Sequence, residues 1–299
     1  MGFFQKLAQA IERNGSLLCV GLDPDPDRLP ASLRTRQTAA GEVATFQRAI
    51  IEATSDLVCA YKPNLAFYEA MGEAGAEALR ATLAAIPGDI PVIGDAKRGD
   101  VGHTSRAYAR ALFDGWGFDA VTVSPYLGGD SVEPFLERED RGVFVLCRTS
   151  NPGARDFQDL PILVDQGLPA GRTVRPRPLD KLRAQPLFEV VAERASDWNT
   201  RGNVGLVVGA TYPEELGRLR ELCPRMTFLV PGVGTQGGDL EACLRRGLDA
   251  GGSGLIINVS RQVLYASGED DFAAAARQAA LALRDEIGRR REVILSERP

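Results

Sequence analysis

The chain has a single histidine, and no two of its five cysteines (Cys19, Cys59, Cys147, Cys223, Cys243) stand at C-x-x-C spacing. A zinc site draws on clustered Cys and His, so the sequence offers no metal site. The scattered cysteines supply no disulfide framework, which fits a reducing cytoplasm, and three lie in apolar strand-like runs as small buried hydrophobes. No apolar run approaches the roughly 18 residues that would suggest a membrane span. The opening "MGFFQKLAQAIERNGS" reads as an amphipathic helix and lacks the basic start, apolar middle and small-residue cleavage site of a secretory signal. Basic residues are not in excess: 35 Lys and Arg face 40 Asp and Glu, for a net charge of −5. That balance argues against nucleic acid as a partner and for an enzyme handling small molecules. Two further patterns fail on inspection. "DPDPD" (23–27) imitates an EF-hand start, but Arg28 stands at the required glycine and Arg34 at the bidentate glutamate. His103 has no G-x-S-x-G elbow to accompany it.

What is present is alternation. With 299 residues and 44% hydrophobic composition the chain can bury a large core. Eight short Val/Ile/Leu-rich runs, at 16–22, 57–63, 90–96, 120–125, 142–148, 204–209, 227–232 and 254–259, each precede turn residues and, in most cases, a helical pattern. Eight such units predict an α/β fold, a (β/α)8 TIM barrel of doubly covered parallel strands, in preference to an open doubly wound sheet. The expectation is a single domain over 1–299. One stretch breaks the rhythm: 161–186, rich in proline and arginine, reads as a loop insertion after the fifth strand.

Reacting groups of such barrels sit at the C-terminal ends of the strands. Collected there are Asp23, Lys62 with Asn64, Asp95 with Lys97, and Ser124. Arg148 to Asn151, Gly234 with Gln236, and Asn258 to Arg261 complete the ring. In "VIGDAKRGD" (92–100), strand alternation puts Ile93, Asp95 and Lys97 on one face, towards the barrel mouth, and leaves the small Gly94 and Ala96 for the other. A buried ion pair is a poor stabiliser compared with apolar packing, so Lys62, Asp95, Lys97 and Asp100 read as an array kept for chemistry. "PGVGTQGG" (231–238) matches a dinucleotide fingerprint, yet it follows the seventh strand and no acid ends the next one. With Ser260 and Arg261 opening a helix after strand eight, a phosphate site is the better reading. Thr149, Ser150 and Asn151 offer small hydrogen-bonding groups suited to a polar ring.

"DAKRGD" with "VGHTS", together with "YKPN", "TSNPGA", "PGVGTQGG" and "NVSR", resembles the longer bacterial branch of the orotidine 5′-phosphate decarboxylase family. The resemblance runs from about residue 2 to 285, leaving out 162–185. The D-x-K-x-x-D motif alone is shared with magnesium-dependent sugar-phosphate decarboxylases on the same barrel; "TSNPGA" and the Ser-Arg pair select the orotidine enzyme. The resemblance implies loss of CO2 from orotidine 5′-phosphate to give UMP, the last step of de novo pyrimidine nucleotide synthesis, with no cofactor. Lys97 would protonate the C6 carbanion, Asp95 would lie against the substrate carboxylate, and Lys62 and Asp100 would keep Lys97 charged and oriented. Asp23 and Lys62 would hold the ribose, Ser150 would read the pyrimidine, and Gln236, Ser260 and Arg261 would take the phosphate. Asp100 and Thr104 would reach into the site of a second copy, making a homodimer the working unit.

Overall fold

The computed structural model describes residues 1–34, 38–165, 182–233 and 238–298. Ten strands follow one another among the described residues: β1 Leu18–Gly21, β2 Ala60–Lys62, β3 Ile93–Arg98, β4 Ala120–Val123, β5 Gly142–Arg148, β6 Pro161–Asp165, β7 Leu182–Pro186, β8 Val204–Val208, β9 Phe228–Pro231 and β10 Leu255–Val259. Eight of them form one parallel sheet in the order β2-β1-β10-β9-β8-β5-β4-β3. Bridges from Tyr61 to Val92 and from Asn64 to Asp95 bring its two edges together and close the barrel. The expected (β/α)8 TIM barrel is therefore present; seven of the eight barrel strands fall within the runs read from the sequence, and β3 runs two residues past its run, to Lys97 and Arg98. Parallel strands covered on both faces must be apolar throughout, and β1, β4, β8 and β10 are buried at every position.

The remaining two strands belong to the insertion. Its ends are regular: β6 and β7 pair antiparallel, with Pro161 opposite Pro186 and Val164 opposite Arg183. The insertion read after the fifth strand is present, and its two ends form this short ladder. The two prolines sit at the open end of the ladder, where a missing N–H costs least. Residues 166–181 lie outside the described residues.

One end of the barrel is plugged. The helix α1, Phe3–Asn14, buries Phe3, Leu7 and Ala10 against an inner layer that includes Cys19, Ile93, Phe144, Leu229 and Ile256. Phe3 meets Phe144 edge-on at 5.7 Å, and the Lys6 ammonium donates to Asp119 at 2.8 Å. This closure leaves the opposite, C-terminal mouth as the open end of the barrel. All five cysteines are buried and unpaired. No helix among the described residues is long and apolar enough to cross a membrane.

Candidate active site

A cavity of about 860 Å³ opens at the C-terminal mouth. Its floor is apolar, formed by Leu146, Val207 and Leu229, and its walls differ sharply in charge.

The wall built by β2, β3 and β4 carries the charged array. The Asp95 carboxylate receives Lys62 Nζ on Oδ2 at 2.9 Å and Lys97 Nζ on Oδ1 at 2.6 Å. Thr122 Oγ1 also donates to Oδ1, at 2.9 Å. Burial alone would push the Asp95 carboxyl up, but the charges and hydrogen bonds of Lys62 and Lys97 outweigh it and hold the group well below the usual carboxylate range. Burial would likewise lower Lys62; Asp95 and Asp23 overcome it, so its ammonium is held above the ordinary lysine value. Beneath them the Cys19 thiol is pushed up to about 12, burial outweighing the pull of Lys62. It stays neutral and adds no charge to the floor.

The three charged side chains differ in exposure. Lys62 and Asp95 are buried, at 4% and 9% exposure, whereas the Lys97 side chain is 49% exposed and faces the open cavity. Lys97 is also the one described non-glycine residue with positive φ, at 48°. A left-handed backbone at a residue with a Cβ costs on the order of 1–3 kcal/mol and persists where neighbours over-determine it.

The wall at β1 and β10 carries the cationic side. Asp23 Oδ2 accepts from Ser260 Oγ at 2.7 Å, while its Oδ1, buried, has no hydrogen-bond partner among the described residues. Gly21 permits this approach, because a Cβ there would meet the Ser260 Cβ at 2.9 Å. Arg261 begins the short helix Arg261–Leu264 and lines the cavity. One turn on, Tyr265 is stacked against Phe46 and carries the Arg28 guanidinium 4.0 Å from its ring centre. Two cations thus stand on the same side of the mouth. Asn258, from the floor of this wall, presents a buried Oδ1 without a partner among the described residues.

Between these walls lies an uncharged one from the loop after β5, with Thr149, Ser150, Asn151 and Gln158. Gln158 clamps the turn by accepting from the Thr149 amide at 2.9 Å and donating to its hydroxyl at 2.8 Å. A side chain at Gly209 would meet the Ser150 amide nitrogen at 2.8 Å, so the bare backbone there lets this loop close over β8.

The structure thus gathers Asp23, Lys62, Asp95, Lys97, Ser150, Ser260 and Arg261 round one cavity. It does not bring Asp100 or Thr104 there. The Asp100 carboxylate accepts from the Val101 amide at 2.7 Å, and Thr104 sits in the first turn of the helix Gly102–Arg110. Within one chain the array is Lys62–Asp95–Lys97, and Asp100 makes no bond to Lys97. Gln236 and Gly234 lie outside the described residues. Arg148, expected in the ring of polar residues at the strand ends, is instead turned into the wall: 1% exposed, it pairs with Asp159 at 3.0 Å and with Glu215, and it stacks on Tyr212. The register shift between Leu146 and Arg148 causes that turn. Ser124 is absent from the cavity lining, while Thr122, two residues earlier on the same face, takes part. Sequence reading missed Thr122, Arg28 and Tyr265. For Thr122 the available signal was a lone hydroxyl on an inward position of an otherwise apolar strand.

A family model described as "Orotidine 5'-phosphate decarboxylase / HUMPS family" matches residues 16–167. Proteins named orotidine 5′-phosphate decarboxylase from Thermomicrobium roseum and Herpetosiphon aurantiacus are similar to this chain at 51% and 54% identity. The alignments cover 99% and 94% of it and 99% and 96% of those proteins. The solved OMP decarboxylase of Leishmania donovani has a TM-score of 0.79 at 42% identity, covering 98% of this chain and 99% of that one. The UMP synthase of the same organism matches at 44% identity and a TM-score of 0.80, and this chain spans 57% of its length. Matched end to end at this level of identity, on a barrel whose mouth carries the expected charged wall, the chain belongs to the orotidine 5′-phosphate decarboxylase family.

Proposed function

We infer that the chain decarboxylates orotidine 5′-phosphate to UMP and CO2, without a cofactor, in the last step of UMP synthesis. The observation that carries this reading is an ionised, buried Asp95 held between two lysines, in a cavity whose far wall carries Arg261. Four chemically distinct groups on these walls suit the parts of a nucleotide acid. The cationic side fits a phosphate dianion, Asp23 Oδ1 fits a sugar hydroxyl that needs an acceptor, the Ser150 loop fits a polar ring, and the Lys97 wall fits the reacting carboxylate.

The chemistry follows from the charges. Asp95 cannot be neutralised cheaply, so a substrate carboxylate placed about 4 Å away is repelled by roughly 4 kcal/mol at an effective dielectric of 20. The repulsion vanishes as the C6–carboxylate bond breaks and CO2 leaves. The electron pair left on C6 attracts the Lys97 ammonium, which transfers one proton to C6 and is recharged from water. Only interactions stronger in the transition state than in the bound substrate speed the step, and the Lys97–C6 attraction is of that kind. Phosphate contacts remote from C6 support closure and orientation as well as affinity.

Asp100 and Thr104 are proposed to complete the cavity of a second copy, which makes the working unit a homodimer. Their placement outside their own cavity, on either side of the exposed Val101, supports this. The whole chain, 1–299, acts as one barrel domain with 161–186 as an insertion. Five unpaired cysteines fit a cytoplasmic setting. The direct test incubates the protein with orotidine 5′-phosphate and follows its ultraviolet absorbance. Turnover that Lys97→Ala abolishes, with UMP binding retained, is the expected result; a folded protein that leaves the absorbance unchanged contradicts the reading.

A further inference from the structure

We propose that Thr122 is a positioning residue for the decarboxylation: its hydroxyl fixes the Asp95 carboxylate and the main chain of Lys97 together. This rests on the site reading above.

The local sheet geometry creates the need. Along β3 and β4, Gly94 pairs with Val121 and Arg98 with Val123, so the four residues from Asp95 to Arg98 run against only Thr122 and Val123. The surplus bulges β3, and the Lys97 amide has no strand carbonyl to meet. It donates instead to Thr122 Oγ1 at 2.9 Å. An amide N–H can only donate, so the hydroxyl is the acceptor there and its one proton is free for Asp95 Oδ1, also at 2.9 Å. With Asp95 ionised between its two lysines, its oxygens can only accept, and the direction of this relay is fixed.

Two features make the relay matter for catalysis and not only for packing. Lys97 holds its left-handed backbone at φ 48° while its side chain is half exposed. Little packing therefore fixes the ammonium, and its place depends on the main chain and on Asp95. Moreover, Lys97 has to loosen its hold on Asp95 to reach C6. Thr122 and Lys62 keep their bonds to the carboxylate during that movement, so Asp95 stays aimed at the substrate when the lysine departs. Thr122 is 1% exposed, so water cannot substitute for its hydroxyl without a rearrangement.

The test compares Thr122→Val, which keeps the shape and loses both bonds, with Thr122→Ser, which keeps the hydroxyl. In the valine variant kcat falls roughly 100-fold, as expected of a misplacement near 1 Å, while KM and the UMP dissociation constant stay within about threefold of the parent. Deuterium uptake at C6 of UMP from D2O reports proton transfer by Lys97 in reverse, and it falls in parallel with kcat. The serine variant recovers most of the loss. A valine variant with unchanged kcat, or a serine variant as impaired as the valine one, overturns the proposal. If the valine variant does not fold, Thr122→Ala is held to the same outcomes. Turnover by the parent protein tests the underlying reading separately.

Discussion

At the scale of single residues, the Asp95–Lys62 pair is built to keep its charges over a wide pH range. Asp95 is held below the usual carboxylate range, so its contribution to stability is present above the unfolded value of about 3.9 and is lost as pH falls below that. Lys62 is held above the ordinary value, so its contribution is complete below about 10.4 and is lost as pH rises further. Neither group titrates between these limits. The acid limb of kcat/KM is therefore expected near pH 6, where a phosphate monoester takes up its second proton. Profiles measured with orotidine 5′-phosphate and with orotidine, which lacks the phosphate, decide the matter: the limb disappears with orotidine, and a limb common to both would assign it to the enzyme. Arg261→Ala is expected to cut kcat/KM for the phosphorylated substrate by roughly 100-fold or more and to leave that for orotidine nearly unchanged, since Arg261 acts on the phosphate. A two- or threefold rise in KM alone would remove Arg261 from the phosphate site.

Alternation along strands was enough to place Asp95 and Lys97 on the inner face and Lys62 beside them. What strand position did not show has one kind of cause in two places. At Arg148 a register shift turns the side chain into the wall, and at Lys97 a bulge lets a single β4 residue serve two β3 residues. Bulges leave no periodic trace, so neither the burial of Arg148 nor the part played by Thr122 could be read from spacing.

At the scale of elements, the barrel strands were legible because doubly covered parallel strands are uniformly apolar, and α1 because its apolar stripe is strong. The β6–β7 ladder was not, because proline and arginine masked its short pairing pattern. What α1 does was also hidden: an amphipathic helix does not announce which surface it covers. Since it plugs the end of the barrel away from the cavity, stability and catalysis separate there. Leu7→Ala, at 3% exposure, is expected to cost about 2–5 kcal/mol. Thermal unfolding would show a lowered Tm, while kcat at a temperature where the variant is folded stays at the parent value. A comparable loss of kcat would mean that the plug communicates with the mouth.

At the scale of the whole molecule, the described chain is a cavity with one group of expected residues standing outside it. Asp100 and Thr104 lie by the start of the helix Gly102–Arg110, which packs near Asp130 after β4, and Val101, Tyr126 and Leu127 are exposed in the same region. If a second copy seats on this face, Asp100 belongs to one site and Lys97 of the same chain to the other. Mixing subunits then distinguishes the two arrangements. Lys97→Ala and Asp100→Ala proteins are each expected to be nearly inactive. After dissociation and random reassociation, half the dimers are mixed, and each mixed dimer has one site with an intact Lys97 and an intact Asp100. Activity should therefore recover to about a quarter of the parent level. Were Asp100 to act within its own chain, every site of the mixture would carry a defect, and no activity would return however completely the subunits exchanged.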